Sequence, residues 1–243
     1  AVDQVVDDQD AVAIADKLST LGGLFRAGMK PTGSKDPFAL RRAAYGVIRI
    51  LAECELPFSI AKLSELAAAG DETRSLEEFF AERLRRYLAE GPRHRYDEVN
   101  AVMSASSDVP LDVVRRTAAL AQTRGTADFE ALAASFKRIK NILKQAGGAE
   151  KFSSRNFDPA RLAPGAEAGL YRSFEQLQSQ VAGLKQKADY QGALTAIASL
   201  RPAVDRFFDD VLVMDKDEDV RNSRLTFLAH LLAELSTIAD FAE

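Results

Sequence analysis

Apolar residues recur along this chain at helical spacing, and no stretch sustains the period-two alternation of a half-buried strand. Between residues 36 and 52, Leu40, Ala43, Ala44, Val47, Ile48 and Leu51 fall at i, i+3, i+4, i+7, i+8 and i+11, one continuous stripe. Leu76, Phe79, Phe80, Leu84, Tyr87 and Leu88 form a second stripe, and Phe129, Leu132, Phe136, Ile139 and Leu143 a third. Punctuation delimits the elements. A first helix over about 10–25 is expected to stop at Gly22, Gly23 and Gly28. Asp36 and Pro37 are expected to open the next, Asp36 as N-cap and Pro37 at the first helical position. Leu56-Pro57 closes that helix, and a short one follows over 59–69. Ser75 with Glu78 makes a capping-box pattern for a helix running to Gly91-Pro92. Further helices are predicted at about 96–106, 111–123, 126–146, 166–187, 189–200, 202–213 and 218–242. Gly147-Gly148 and the polar stretch to Pro164 read as a hinge or linker over 147–164. The fold class is all-α, a multi-helix bundle.

Composition adds limits. With 243 residues, 47% hydrophobic and 28% charged, the chain is long enough for one large or two smaller cores. Ala1 and the acidic string AVDQVVDDQD read as a truncation point, without the basic and apolar regions of a signal peptide. No apolar run approaches the length of a membrane span. One cysteine, Cys54, allows no internal disulfide and fits a reducing cytoplasm. Two distant histidines, His94 and His230, cannot complete a zinc site with it.

The net charge of −4 argues against nucleic acid until its distribution is examined. Residues 1–16 carry five acids and no base, and 201–219 carry seven acids against three bases. Between them lie Arg26, Lys30, Lys35, Arg41, Arg42 and Arg49 with Asp36 as the one acid, then Arg83, Arg85, Arg86, Arg93 and Arg95 around Glu90, then Lys137, Arg138, Lys140 and Lys144. Phosphate responds to local potential rather than to the total, so segregated charge is compatible with RNA, although such runs are also ordinary solvated faces.

Catalytic patterns do not assemble. Residues 28–35, GMKPTGSK, approach a phosphate-binding loop but place Ser34 before Lys35 and follow a helix rather than a strand. A structural turn is the expected role, with backbone amides meeting a phosphate as the alternative. Asp209-Asp210 and Asp217-Glu218-Asp219 lack a partner base and read as solvated turns. His230, within a helix, reads as a packed or surface-lying residue rather than a catalytic one. No catalytic or metal-binding residue is assigned.

Four segments nevertheless carry a resemblance. KPTGSKDPFALRRAA (30–44) resembles a segment of bacterial glycyl-tRNA synthetase β subunits. FFAERLRRYLAEGPRHRYDEVNAV (79–102), FKRIKNIL (136–143) and LRPAVDRFFDDVLVMDKDEDVRNSRL (200–225) are similar to later segments of the same family, in the same order. Tyr45 stands where that family usually has Leu, and residues 1–10 match nothing in it. The resemblance implies the C-terminal part of such a subunit: residues 1–57 as the last helices of an HD-like domain with a connecting helix, and 58–243 as a helical DALR-type anticodon-binding domain. AIADKL (13–18) looks like the final HD-domain helix, with Asp16 at its last metal-ligand position. One such residue holds no metal, so phosphohydrolase chemistry is not expected.

The function so implied is binding of tRNA(Gly) and recognition of its anticodon, within a glycine-tRNA ligase whose α subunit handles glycine, ATP and Mg. No cofactor is expected in this fragment, and neither DNA nor membrane is an expected partner. Exposed anticodon bases are read by stacking and edge hydrogen bonds while basic side chains grip phosphates. Lys137, Lys140, Asn141 and Lys144 recur at i, i+3, i+4 and i+7 beside Arg138 and are assigned to that contact. Arg83, Arg86, Arg93, Arg95 and Tyr96, with His94, form a second candidate stretch; internal ion pairs with Glu82 or Glu90 are its competing role. Arg221, Asn222 and Arg224 sit among acids and are expected to make structural ion pairs. The alternative function is a helical scaffold that docks the α subunit or other parts of β.

Overall fold

The computed structural model describes residues 7–31, 36, 38–68, 70–91 and 93–240, and every regular element among them is helical. Contacts divide the chain into two compact units: residues 1–99 with 106–117, and residues 100–105 with 118–243. This division falls elsewhere than residues 57/58.

The first unit contains α1 (Asp8–Arg26), α2 (Leu40–Glu53), α3 (Ile60–Ala67) and α4 (Asp71–Glu90). The stripe of α2 is buried as its spacing requires, with Leu40, Val47, Ile48 and Leu51 at 1% exposure or less. It meets Leu21 and Phe25 of α1 and Leu76, Phe80, Leu84 and Leu88 of α4 in one core.

Three boundaries in this unit differ from the sequence expectation. α1 runs through Gly22 and Gly23 rather than stopping there, because Gly22 serves a close approach: a Cβ on it would lie 1.9 Å from the Ala67 carbonyl oxygen of α3. The helix ends at Gly28 (φ 71°), with the Met29 amide bonded to the Leu24 carbonyl and the Gly28 amide to that of Phe25, a Schellman arrangement. α4 starts four residues before Ser75, where Asp71 and Glu72 complement the helix dipole. Ser75 therefore lies inside the helix, accepting a hydrogen bond from Lys30 Nζ. Asp36 accepts the Arg41 amide at 3.2 Å, and α2 begins at Leu40 behind Ala39 in the left-handed region (φ 55°); Pro37 lies outside the described residues. Ser59 caps α3 and donates to Asp108 Oδ1.

α5 (Tyr96–Ala105) and α6 (Pro110–Thr123) each contribute to both units, α5 passing from the first to the second at residue 100 and α6 at 118. The second unit otherwise consists of α7 (Ala127–Gln145), α8 (Glu150–Ser153), a single 3-10 turn (Pro159–Arg161), α9 (Ala166–Gln186), α10 (Tyr190–Ala198), α11 (Arg201–Asp210) and α12 (Glu218–Leu235). Leu225 to Ala229 of α12 are all buried, more than one full turn, so the middle of this helix is enclosed on every side while Glu218, Asp219, Ala233 and Glu234 at its ends are exposed. α7 packs against α10, α11 and α12. Residues 147–164 are tied to this core: Phe152 is 1% exposed, the Phe157 ring stacks on Phe227 at 5.4 Å, and His230 Nε2 bonds the Arg155 carbonyl at 3.0 Å.

Candidate nucleic-acid interface

α7 buries Phe129, Leu132, Phe136, Ile139 and Leu143 and turns its other face outward. Lys137, Asn141 and Lys144 lie exposed on that face, their side chains making no hydrogen bond or ion pair among the described residues. Lys140 departs from this strip: its ammonium pairs with Asp240 at 2.7 Å. Three and four residues apart, the free groups occupy neighbouring positions and can meet successive phosphates of one strand.

Arg138 sits to one side, its guanidinium 4.1 Å from the Phe208 ring centroid. With Ile142, Leu212, Met214 and the carboxylates of Asp209 and Asp210, it lines a groove of about 410 Å³. Leu212 is 68% exposed and Met214 47%, an apolar wall beside a stacked cation. That chemistry suits the flat face of an unpaired base next to its phosphate.

The second candidate stretch is split. Arg83 is 6% exposed, ion-paired through Nη2 with Glu82, and its guanidinium lies 4.7 Å from the Phe79 ring. Arg86 pairs with Glu90 at 2.9 Å and Arg95 with Asp97 at 3.1 Å. These pairings realise the competing structural role, although Arg86 and Arg95 stay exposed. Arg93, in the left-handed region (φ 57°), and Tyr96, 76% exposed, face solvent. His94 is nearly covered beside Glu98, and its pKa lies below the ordinary histidine value because burial penalises the cation more than Glu98 supports it.

Arg224 makes the expected structural ion pairs. It reaches Glu167 at 2.7 Å, the Leu212 carbonyl at 2.8 Å and Asp215 at 2.9 Å, joining α9, the α11–α12 connection and α12. Asp215 is held below the usual carboxylate range, first by the Asp217 amide and then by Arg224. Asp217 caps α12 through the Asp219 and Val220 amides. The amides of residues 32–35 lie outside the described residues, and Asp16 is exposed on α1.

Residues 7–104 match the family profile described as glycyl-tRNA synthetase beta subunit, and residues 132–239 match that of the DALR anticodon binding domain. Over 96% of its length the chain is 43% identical to the glycine–tRNA ligase beta subunit of Acidobacterium capsulatum and 42% identical to that of Shewanella oneidensis, covering 34% of each. The corresponding protein of Myxococcus xanthus is 37% identical, with 35% of it covered. The chain belongs to the glycyl-tRNA synthetase β-subunit family. It spans about a third of the length of the curated relatives it matches and corresponds to their C-terminal region.

Within this β-subunit fragment the DALR match includes the exposed strip of α7, the Arg138 groove and the whole of α12. Sequence reasoning left out Phe208, Leu212 and Met214. The available signal was the string FFDDVLVM, whose last apolar residues continue past the end of α11, where no buried stripe requires them all.

Proposed function

We propose that this β-subunit fragment binds tRNA(Gly), with the α7 face of the second unit holding the anticodon arm. The observation that carries the reading is the outward strip of Lys137, Asn141 and Lys144, unpaired and within the DALR match, next to the Arg138–Phe208 stack. In this reading the lysines hold phosphates, Asn141 meets a base edge, and an unstacked base lies against Leu212 and Met214. Arg93 and Tyr96 offer a further contact from the first unit, with Arg95 and Lys140 recruited only at the expense of their present ion pairs. Glycine activation, ATP and Mg²⁺ belong to the α subunit in this scheme, in the bacterial cytoplasm, and the fragment supports the ligase by placing the tRNA.

Fluorescence anisotropy with labelled tRNA(Gly) over a salt series tests this. Affinity is expected to fall steeply with salt, and Lys137→Glu with Lys144→Glu to weaken binding by tenfold or more while reducing the slope of log K against log[salt] by about 1.5. An affinity indifferent to salt and to both substitutions contradicts the proposal. The exposed Leu212 and Met214 also favour a second reading, in which this surface docks the α subunit. Capture of the α subunit that Met214→Asp abolishes, without change in tRNA affinity, selects docking over RNA.

A further inference from the structure

The first unit contains a cavity of about 490 Å³ whose wall is dominated by cations from three helices: Lys17 of α1, Arg41, Arg42 and Arg49 of α2, and Arg83 and Arg86 of α4. Among the described residues Glu90 is the one acid lining it, already paired with Arg86, and Arg49 is paired with Glu53 outside the cavity. Arg83 is the decisive residue. It is buried, yet among the described residues its Nε and Nη1 have no hydrogen-bond partner, and Nη2 is engaged by Glu82. A buried guanidinium with two idle donors is costly unless something fills them. Burial is the largest influence on its pKa and lowers it, repulsion from Arg41 and Arg86 acts in the same direction, and the carboxylates of Glu82 and Asp36 oppose them.

The fold maintains this concentration of charge. Gly46 allows the aliphatic stem of Lys17 to cross α2, since a Cβ there would lie 3.0 Å from Lys17 Cε. Phe79 holds the Arg83 guanidinium from one side, its ring centroid 4.7 Å from Cζ. Tyr45 lines the same cavity as an aromatic wall. A single carboxylate would neutralise little of this field, whereas a phosphate offers several acceptor oxygens and matches the planar donor fork of arginine.

We infer that this cavity is a binding site for a phosphate group, with Arg83 and Arg42 among its ligands. It shares no residue with the α7 strip, so it stands or falls separately from the anticodon reading. The phosphate has two candidate sources, a free phosphorylated small molecule or a phosphodiester of bound RNA.

Calorimetric titration of the full chain with inorganic pyrophosphate, paired with tRNA(Gly) anisotropy in the absence and presence of pyrophosphate, distinguishes them. Saturable pyrophosphate binding is expected, weakened tenfold or more by Arg42→Glu, an exposed position that leaves the core intact, and by Arg83→Met. Lys187→Glu, a matched charge change on the second unit, is expected to leave it unchanged. Pyrophosphate binding with tRNA affinity insensitive to Arg42→Glu identifies a small-molecule site. A tenfold loss of tRNA affinity in Arg42→Glu, with competition by pyrophosphate, identifies an RNA phosphate. No saturable pyrophosphate binding together with unchanged tRNA affinity in Arg42→Glu overturns the inference. Thermal stabilisation of the wild type by pyrophosphate that Arg42→Glu lacks gives an independent readout if Arg83→Met fails to fold.

Discussion

α4 and α7 are helices of similar length, each with an apolar stripe and a set of basic residues, but they direct their charge differently. On α4, Arg83 points into the protein among the buried residues Phe80, Leu84 and Tyr87, and its neighbours on α2 bring more cations towards it. On α7, Lys137 and Lys144 project from the face opposite Phe136, Ile139 and Leu143. The first arrangement concentrates potential within a cavity and selects a compact anion. The second spreads it along a surface suited to an extended strand. Basic runs that look alike in one dimension thus acquire different binding capacities through their position relative to the stripe.

Substitutions that separate the inward from the outward role should differ in size. The largest loss is expected at Arg224, an inward cation with a defined partner. Arg224→Ala leaves Glu167 buried at the start of α9 without its counter-ion, held by the Ala163 amide, and urea unfolding followed by circular dichroism should show a loss of about 3 kcal/mol. Gly22→Ala comes next: its methyl group cannot occupy a position 1.9 Å from the Ala67 oxygen, so α1 and α3 must separate. The same measurement should report about 3 kcal/mol.

Within α7, paired and unpaired lysines provide a finer contrast. Lys137→Ala is expected to weaken tRNA binding severalfold without changing stability. Lys140→Ala should affect binding less and lower stability by about 1 kcal/mol or less, because the Asp240 pair is partly solvated. Equal effects of both on tRNA affinity would erase the distinction. The smallest effect concerns pH. His94 has a folded pKa below its ordinary 6.5, so as pH falls through that value the unfolded chain takes up a proton first and stability declines until His94 itself protonates. His94→Gln should flatten that part of the stability profile.

Much of this was legible in the sequence, for a physical reason: helix faces are local. The stripe at Leu40, Val47, Ile48 and Leu51 and that at Phe129, Phe136 and Leu143 specify both an element and its buried side. Long-range contacts leave no such trace. Gly22 looks like a helix stop until Ala67, 45 residues away in sequence, is placed against it. Nothing periodic ties Lys140 to Asp240, and although Arg83 falls on the buried stripe between Phe79 and Tyr87, nothing local reveals that it meets the cations of α2. The capping pattern at Ser75 was outweighed by the acidic first turn four residues earlier. The candidate site was readable as residue types, whereas its division into a cavity and a strip required the fold.

The two units also exchange chain: residues 100–105 belong with the second and 106–117 with the first. No single cleavage yields both intact. A cut after residue 99 removes 106–117 from the first unit, and one after residue 117 takes 100–105 from the second. Dissection into separately expressible halves, or recombination of either half with foreign sequence, therefore has to resolve three crossings instead of one.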